Sequence, residues 1–184
     1  MWPFKKPRDP FDEARTANID KDFSVFAAGE DAPTLKDIEA FEKWAGFRLP
    51  DDFRKYSCSK LGGIYVEVKE SVWPRLKKFE VAPFWSALYG FFVYAFSPNC
   101  PEWMNIRLQT EQFRAESQTN YMPFLKVMMD ADIYCFDQNG VARRWNHETL
   151  EALPVGKTFT QIFEEEFAEL KKRKERKLAE LKKV

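Results

Sequence analysis

The chain is short of the side chains from which most active sites are built. It contains a single histidine, His147, and three cysteines, Cys58, Cys100 and Cys135. The cysteines are odd in number, far apart and in no C-x-x-C pair, so neither a disulfide framework nor a zinc knuckle is indicated. Each thiol reads as a small buried hydrophobe, and a reducing cytoplasm is the expected location. His147 has no cysteine or second histidine near it and cannot anchor a usual zinc site. A glycine-rich phosphate loop, G-x-S-x-G and H-E-x-x-H are all absent.

Long apolar runs are missing as well. The longest, Val81 to Phe96, is interrupted by Pro83, Ser86 and Gly90 and is too short for an ordinary membrane span. The stretch from Met1 to Pro10 places charges and prolines where a secretory signal needs an unbroken apolar segment. A soluble, cytoplasmic protein is expected.

The formal net charge is zero, but the charges are unevenly divided. Residues 171–184 hold eight Lys/Arg against two Glu, and the remaining 170 residues hold 21 against 27, so a body of −6 carries a tail of +6. An acidic body speaks against direct nucleic-acid binding, which needs clustered cations. It suits electrostatic steering toward a basic protein.

What the chain does have is rings, 18 of them phenylalanine, and 184 residues are enough for one domain with its own core. Residues 1–33, rich in proline, read as an N-terminal arm that can dock but does not make a domain. Thr34 is placed to cap a helix in which Leu35, Ile38, Phe41 or Glu42, and Ala45 follow at helical spacing, so one face is apolar. Gly46 ends that helix, and Pro50 with Asp51 and Asp52 starts the next. Gly62-Gly63 opens a strand in which Ile64, Val66 and Val68 alternate with Tyr65, Glu67 and Lys69. Gly90 to Phe96 reads as a strand covered on both faces, and Trp103 to Arg114 as a helix. Strands at Phe124–Met129, Ile133–Phe136 and Val141–Trp145 form a meander turned by Asn139-Gly140. A last helix opens at Thr158, and beyond Leu170 its apolar stripe thins, so it is expected to project into solvent.

This order of parts resembles the SUKH superfamily, shared by bacterial polymorphic-toxin immunity proteins and fungal killer-toxin-resistance regulators. The resemblance rests on Ile38-Glu39-Ala40-Phe41-Glu42, Gly46-Phe47-Arg48-Leu49-Pro50-Asp51-Asp52-Phe53, Gly62-Gly63, Tyr134-Cys135-Phe136-Asp137-Gln138-Asn139-Gly140 and Thr158-Phe159-Thr160-Gln161-Ile162-Phe163. It covers roughly Thr34 to Leu170. The aromatic segment from Trp73 to Phe96 is longer and more apolar than the family's usual linking region, and the Lys-rich tail lies outside the family core. The resemblance implies an α+β domain over 34–170, with an antiparallel sheet of about four to six strands packed by N-terminal and C-terminal helices; the charge pattern itself reads as a basic helical tail at 171–184. It implies a non-catalytic protein-binding role, most concretely an immunity protein occluding a cognate toxin, and alternatively a scaffold linked to cell-envelope assembly.

Candidate partner-binding residues are the rings Trp73, Trp85, Tyr89, Trp103 and Trp145, because Trp and Tyr bury large area at low entropic cost. The carboxylates Glu67, Glu70, Asp130, Asp132 and Asp137 would complement a basic toxin domain such as a nuclease. Each of these has a plainer reading, as core ring or solvated turn residue. A rival from another class is a small metal-assisted hydrolase in which Asp130, Asp132 and Asp137 gather a divalent cation. The favoured reading needs no catalytic residue, cofactor or metal. The sequence leaves oligomeric state and the partner's identity open.

Overall fold

The structure, a computed structural model, describes residues 9–182. Residues 1–8 of the expected arm and 183–184 of the tail lie outside the described residues. The rest of the arm docks on the core. Asp9 caps α1 (Pro10–Asn18) by accepting from the Phe11 N–H at 3.1 Å. Phe11 then sets its ring against Tyr56 and Phe163, with centroids 5.2 and 5.6 Å away. After it, β1 (Phe23–Ala27) pairs along its whole length with β2 (Ile64–Val68).

The expected helix starts are present. Thr34 and Asp37 form a reciprocal capping box at the head of α2 (Leu35–Ala45), the Asp37 carboxylate accepting from the Thr34 N–H at 2.8 Å. Gly46 closes α2 with φ of +88°, a conformation that costs a residue with a Cβ atom. Pro50 sits just ahead of α3 (Asp51–Ser57) as its N-cap rather than inside its first turn.

Among the described residues the sheet has seven antiparallel strands in sequence order, one or more beyond the expected four to six. After β1 and β2 come β3 (Gly90–Val93), β4 (Met122–Val127), β5 (Ile133–Phe136), β6 (Ala142–Asn146) and β7 (Glu151–Pro154). The two unforeseen strands are the edges, β1 and β7. Edge strands face solvent on more sides, so their apolar alternation is weak, and β7 tolerates Pro154 for the same reason.

One face of the sheet carries α1, α3 and α5 (Phe159–Leu181), and between them lies the main core. Residues of the Leu-Pro-Asp-Asp-Phe and Thr-Phe elements meet there. Phe53 and Phe159 stack edge to face at 4.9 Å. The Asp52 carboxylate accepts from the backbone N–H of Thr160 at 2.9 Å, bonding the Leu-Pro-Asp-Asp-Phe element to the Thr-Phe element. On the other face α4 (Ile106–Ser117) packs against β4, and Phe113 closes a smaller cluster with Cys135 and Trp145.

The expected projection of the last helix begins later than Leu170. The Lys174 ammonium is buried and donates to Asp20 at 2.6 Å and Asp22 at 3.1 Å, while Arg173 donates to the Leu88 carbonyl at 3.1 Å. The first basic turn of the tail is therefore sheet-side structure, held by ion pairs that an apolar-stripe reading cannot see. These pairs raise the Lys174 pKa against the opposing effect of its burial.

Candidate functional site

The face of the sheet away from α5 is only partly covered by α4, and the uncovered part is a cleft. Strand register builds its floor: Tyr65 on β2 lies opposite Phe92 on β3, which lies opposite Lys126 on β4. Residues in one such row point to the same face. A short 3-10 turn, Glu102–Met104, supplies the overhang. Met104 is its buried anchor, its carbonyl accepting from the Ala95 N–H at 2.8 Å, and this presents the neighbouring Trp103 outward. The Trp103 ring meets Phe92 at 5.0 Å and Tyr65 at 5.8 Å, both edge to face, and remains 47% exposed.

Helix α4 forms one wall through Gln109, Gln112, Phe113 and Glu116; the far side is Met128, Met129 and Ile133. Its N-cap Asn105 holds the Arg107 and Leu108 N–H groups at 3.1 Å, which fixes the helix start beside Trp103. The cleft measures about 480 Å³, within the range of preformed binding clefts. Among the described residues Lys126 is the only cation that lines it, and burial lowers its pKa against the pull of Asp130, Asp132 and Glu116. Rings and thioethers here supply apolar contact; the Gln109 amide donates one N–H to the Glu102 carbonyl at 3.3 Å and the Gln112 amide one to Glu116 at 2.8 Å, which leaves each its second N–H, and the Lys126 ammonium, as donors for a carbonyl or carboxylate.

The structure separates the sequence-derived candidates. Trp103 lies in the cleft. Trp145 is buried behind it against Phe113, at 5.8 Å. Trp73 is also buried, its indole N–H donating to the Ser86 carbonyl at 3.0 Å, and Tyr89 is half-buried beneath the Arg75 guanidinium at 3.5 Å. Trp85 is exposed, but beside α5 rather than the cleft.

The three aspartates do not converge. Arg144 donates to Asp130 at 2.6 Å and to Asp132 at 3.4 Å, and His147 Nδ1 lies 3.1 Å from Asp132. Arg144 also reaches the Tyr134 hydroxyl at 3.1 Å; that hydroxyl donates to the buried Glu166 at 3.0 Å. Burial raises the Glu166 pKa, partly offset by Arg173. This network knits α5 to β5 and β6 on the face opposite the cleft. Among the described residues no group of three or more His, Cys, Asp or Glu could hold a metal ion.

Asp137 is buried in its own hairpin. Its carboxylate accepts from the N–H groups of Asn139 and Val141 at 2.9 and 3.0 Å and from Arg143 Nε at 2.7 Å. Burial alone would raise its pKa, but these donors outweigh it and hold the carboxyl below the usual range. A depressed pKa contributes stability that is present above about pH 4 and is lost as pH falls through the lowered value. Asp137→Asn is therefore expected to cost about 1–3 kcal/mol at neutral pH. The gap to the unsubstituted protein should close in strong acid, which urea denaturation at the two pH values checks; an equal gap at both would contradict the assignment.

Sequence reasoning missed the cleft's other walls. Lys126 could have been noticed as the one charge in the apolar run Met122–Val127. Gln109, Gln112 and Glu116 carry a helical spacing, but nothing in that spacing says which sheet they face. A family model described as SMI1 / KNR4 family (SUKH-1) matches residues 32–165. No curated protein matches the chain.

Proposed function

The chain belongs to the SMI1 / KNR4 family (SUKH-1), and on that premise we propose that it is a non-catalytic binding protein that docks and occludes a cognate bacterial toxin domain of basic character. The observation that carries this reading is the preformed apolar cleft under the half-exposed Trp103. A partner side chain entering it would be desolvated between Phe92, Trp103 and Met129, the setting in which single aromatic contacts dominate binding energy. Gln109, Gln112 and Lys126 give the entering segment hydrogen-bond partners and fix its orientation.

Charge supports the choice of partner. The first 170 residues carry a net −6, which raises the encounter rate with a cation-rich domain and falls off with salt. The individual acids Asp130, Asp132 and Asp137 are engaged by Arg144 and Arg143, so they contribute to the field of the body rather than as free contacts. Occlusion is then steric: a toxin held over α4 and the sheet cannot present the same surface to its substrate. No helix among the described residues is long and apolar enough to cross a membrane.

Growth of cells expressing the product of the adjacent gene tests the reading. If that product is a toxin, co-expression of this chain is expected to restore growth and the two should co-purify. Neither rescue nor complex would contradict the immunity role and favour a regulatory scaffold in cell-envelope assembly.

A further inference from the structure

The connection from β2 to β3 carries apolar side chains that the core does not use. Phe79 is 89% exposed, Val81 98%, Phe84 56% and Trp85 62%. Scattered exposed hydrophobes are ordinary, whereas four within seven residues form a patch. The connection is nevertheless pinned to the protein at its base. Trp73 is buried and holds Ser86, Arg75 donates to the Val68 carbonyl, and Arg173 of α5 holds the Leu88 carbonyl. The connection is therefore anchored at both ends, and its Trp85 lies beside α5.

That place is cationic. Trp73 and Trp85 share a cleft of about 350 Å³ with Arg173, Arg176, Lys177 and Glu180. Arg173 pairs with Glu166 at 3.3 Å; Arg176, its side chain 68% exposed, reaches Glu169 at 3.6 Å, and Lys177 reaches Glu180 at 3.9 Å, both loose pairs at the solvent edge. The connection adds Lys77 and Lys78, the Lys78 ammonium lying 5.1 Å from the Phe79 ring centroid. Lys77, Lys78, Arg176 and Lys177 share these segments with two carboxylates, Glu80 and Glu180, so cations are in excess there.

This combination discriminates between occupants. Val81 and Phe79 are so fully exposed that they have no walls around them, and an aliphatic tip adds nothing to phosphate contacts with a nucleic acid. Lysine is depleted from the cores of protein interfaces. Interfacial membrane binding, in contrast, uses both parts together: apolar groups enter the headgroup boundary, tryptophan sits at that level, and lysine and arginine meet anionic headgroups.

We propose that residues 76–85, together with the Arg176 and Lys177 turn of α5, dock the protein on the surface of an anionic lipid bilayer. Phe79, Val81, Phe84 and Trp85 enter the interfacial zone, and Lys77, Lys78, Arg176 and Lys177 pair with headgroup phosphates. None of these residues lines the cleft under Trp103, so the two surfaces are separate.

Co-sedimentation of the full chain with vesicles tests it. Sedimentation is expected with equal parts phosphatidylcholine and phosphatidylglycerol, and not with phosphatidylcholine alone. The double substitutions Phe79→Ser with Val81→Ser, and Arg176→Glu with Lys177→Glu, should each lower the partition by at least about tenfold. All four positions lack a core role, and circular dichroism of each variant checks that the fold is kept. Failure to sediment with the anionic vesicles would overturn the proposal. So would loss in the charge-reversed variant alone, which would mark the face as a site for a polyanion such as nucleic acid.

Discussion

Phe53→Ala is expected to lower folding stability by about 3–5 kcal/mol, seen as a fall in the urea midpoint with little change in slope. Phe53 is fully buried and sits at the hub of the ring cluster, with Phe159, Phe136, Phe124, Tyr56 and Phe96 at centroid distances of 4.9, 5.3, 6.1, 6.2 and 6.4 Å. The neighbours come from two helices, two strands and the segment after β3, so no one element can move in to fill the space. Cavity cost grows where the surroundings cannot collapse. Leu35→Ala, on the exposed side of α2, is the natural control and should change stability by less than about 0.5 kcal/mol. A loss below about 1 kcal/mol at Phe53 would mean that the motif element does not hold the helices to the sheet.

Trp103→Asp is the second large effect, and it falls on binding rather than folding. The ring rests on Phe92 and Tyr65 but is half exposed, and the turn that carries it is held by Met104 rather than by the indole. Placing a carboxylate over this apolar floor removes the anchor, and an entering side chain would have to desolvate the new charge. A loss of at least about 2 kcal/mol is expected, roughly thirtyfold in affinity, with rescue of growth abolished. Trp85→Asp, beside α5, should leave rescue and affinity unchanged. Reversed sensitivities would place the toxin contact on the α5 face.

Much of the scaffold was legible because its instructions are local. The capping box at Thr34, the left-handed Gly46, the alternation of β2 and the turn at Gly140 each depend on a few adjacent residues. The family resemblance was legible for a related reason, since Asp52, Phe53, Phe159 and Thr160 form one contact set that any chain building this core must reproduce. The edges were not, because a strand with one free side needs little apolar pattern. Nor was the docking of the basic tail, where Lys174 is fixed by Asp20 and Asp22 more than 150 positions away.

The candidate site was legible in part. Tryptophans were the right class to inspect, yet composition cannot tell a ring that fills the core, as Trp73 and Trp145 do, from one that overhangs a cleft, as Trp103 does. The acids mislead for a specific reason. Asp130, Asp132 and Asp137 sit in turns, where partial exposure is expected, but β6 places Arg143 and Arg144 within reach of all three. Only strand register reveals that pairing, since Arg144 lies opposite Tyr134 and Arg143 opposite Cys135.

Calorimetric titration of the purified product of the adjacent gene into this protein, and into its Trp103→Asp and Trp85→Asp variants, tests the central claim most directly. The account predicts saturable binding to the unsubstituted protein and to the Trp85 variant, with affinity for the Trp103 variant reduced at least about thirtyfold. Absence of heat with the unsubstituted protein, or equal affinity for the Trp103 variant, would contradict it.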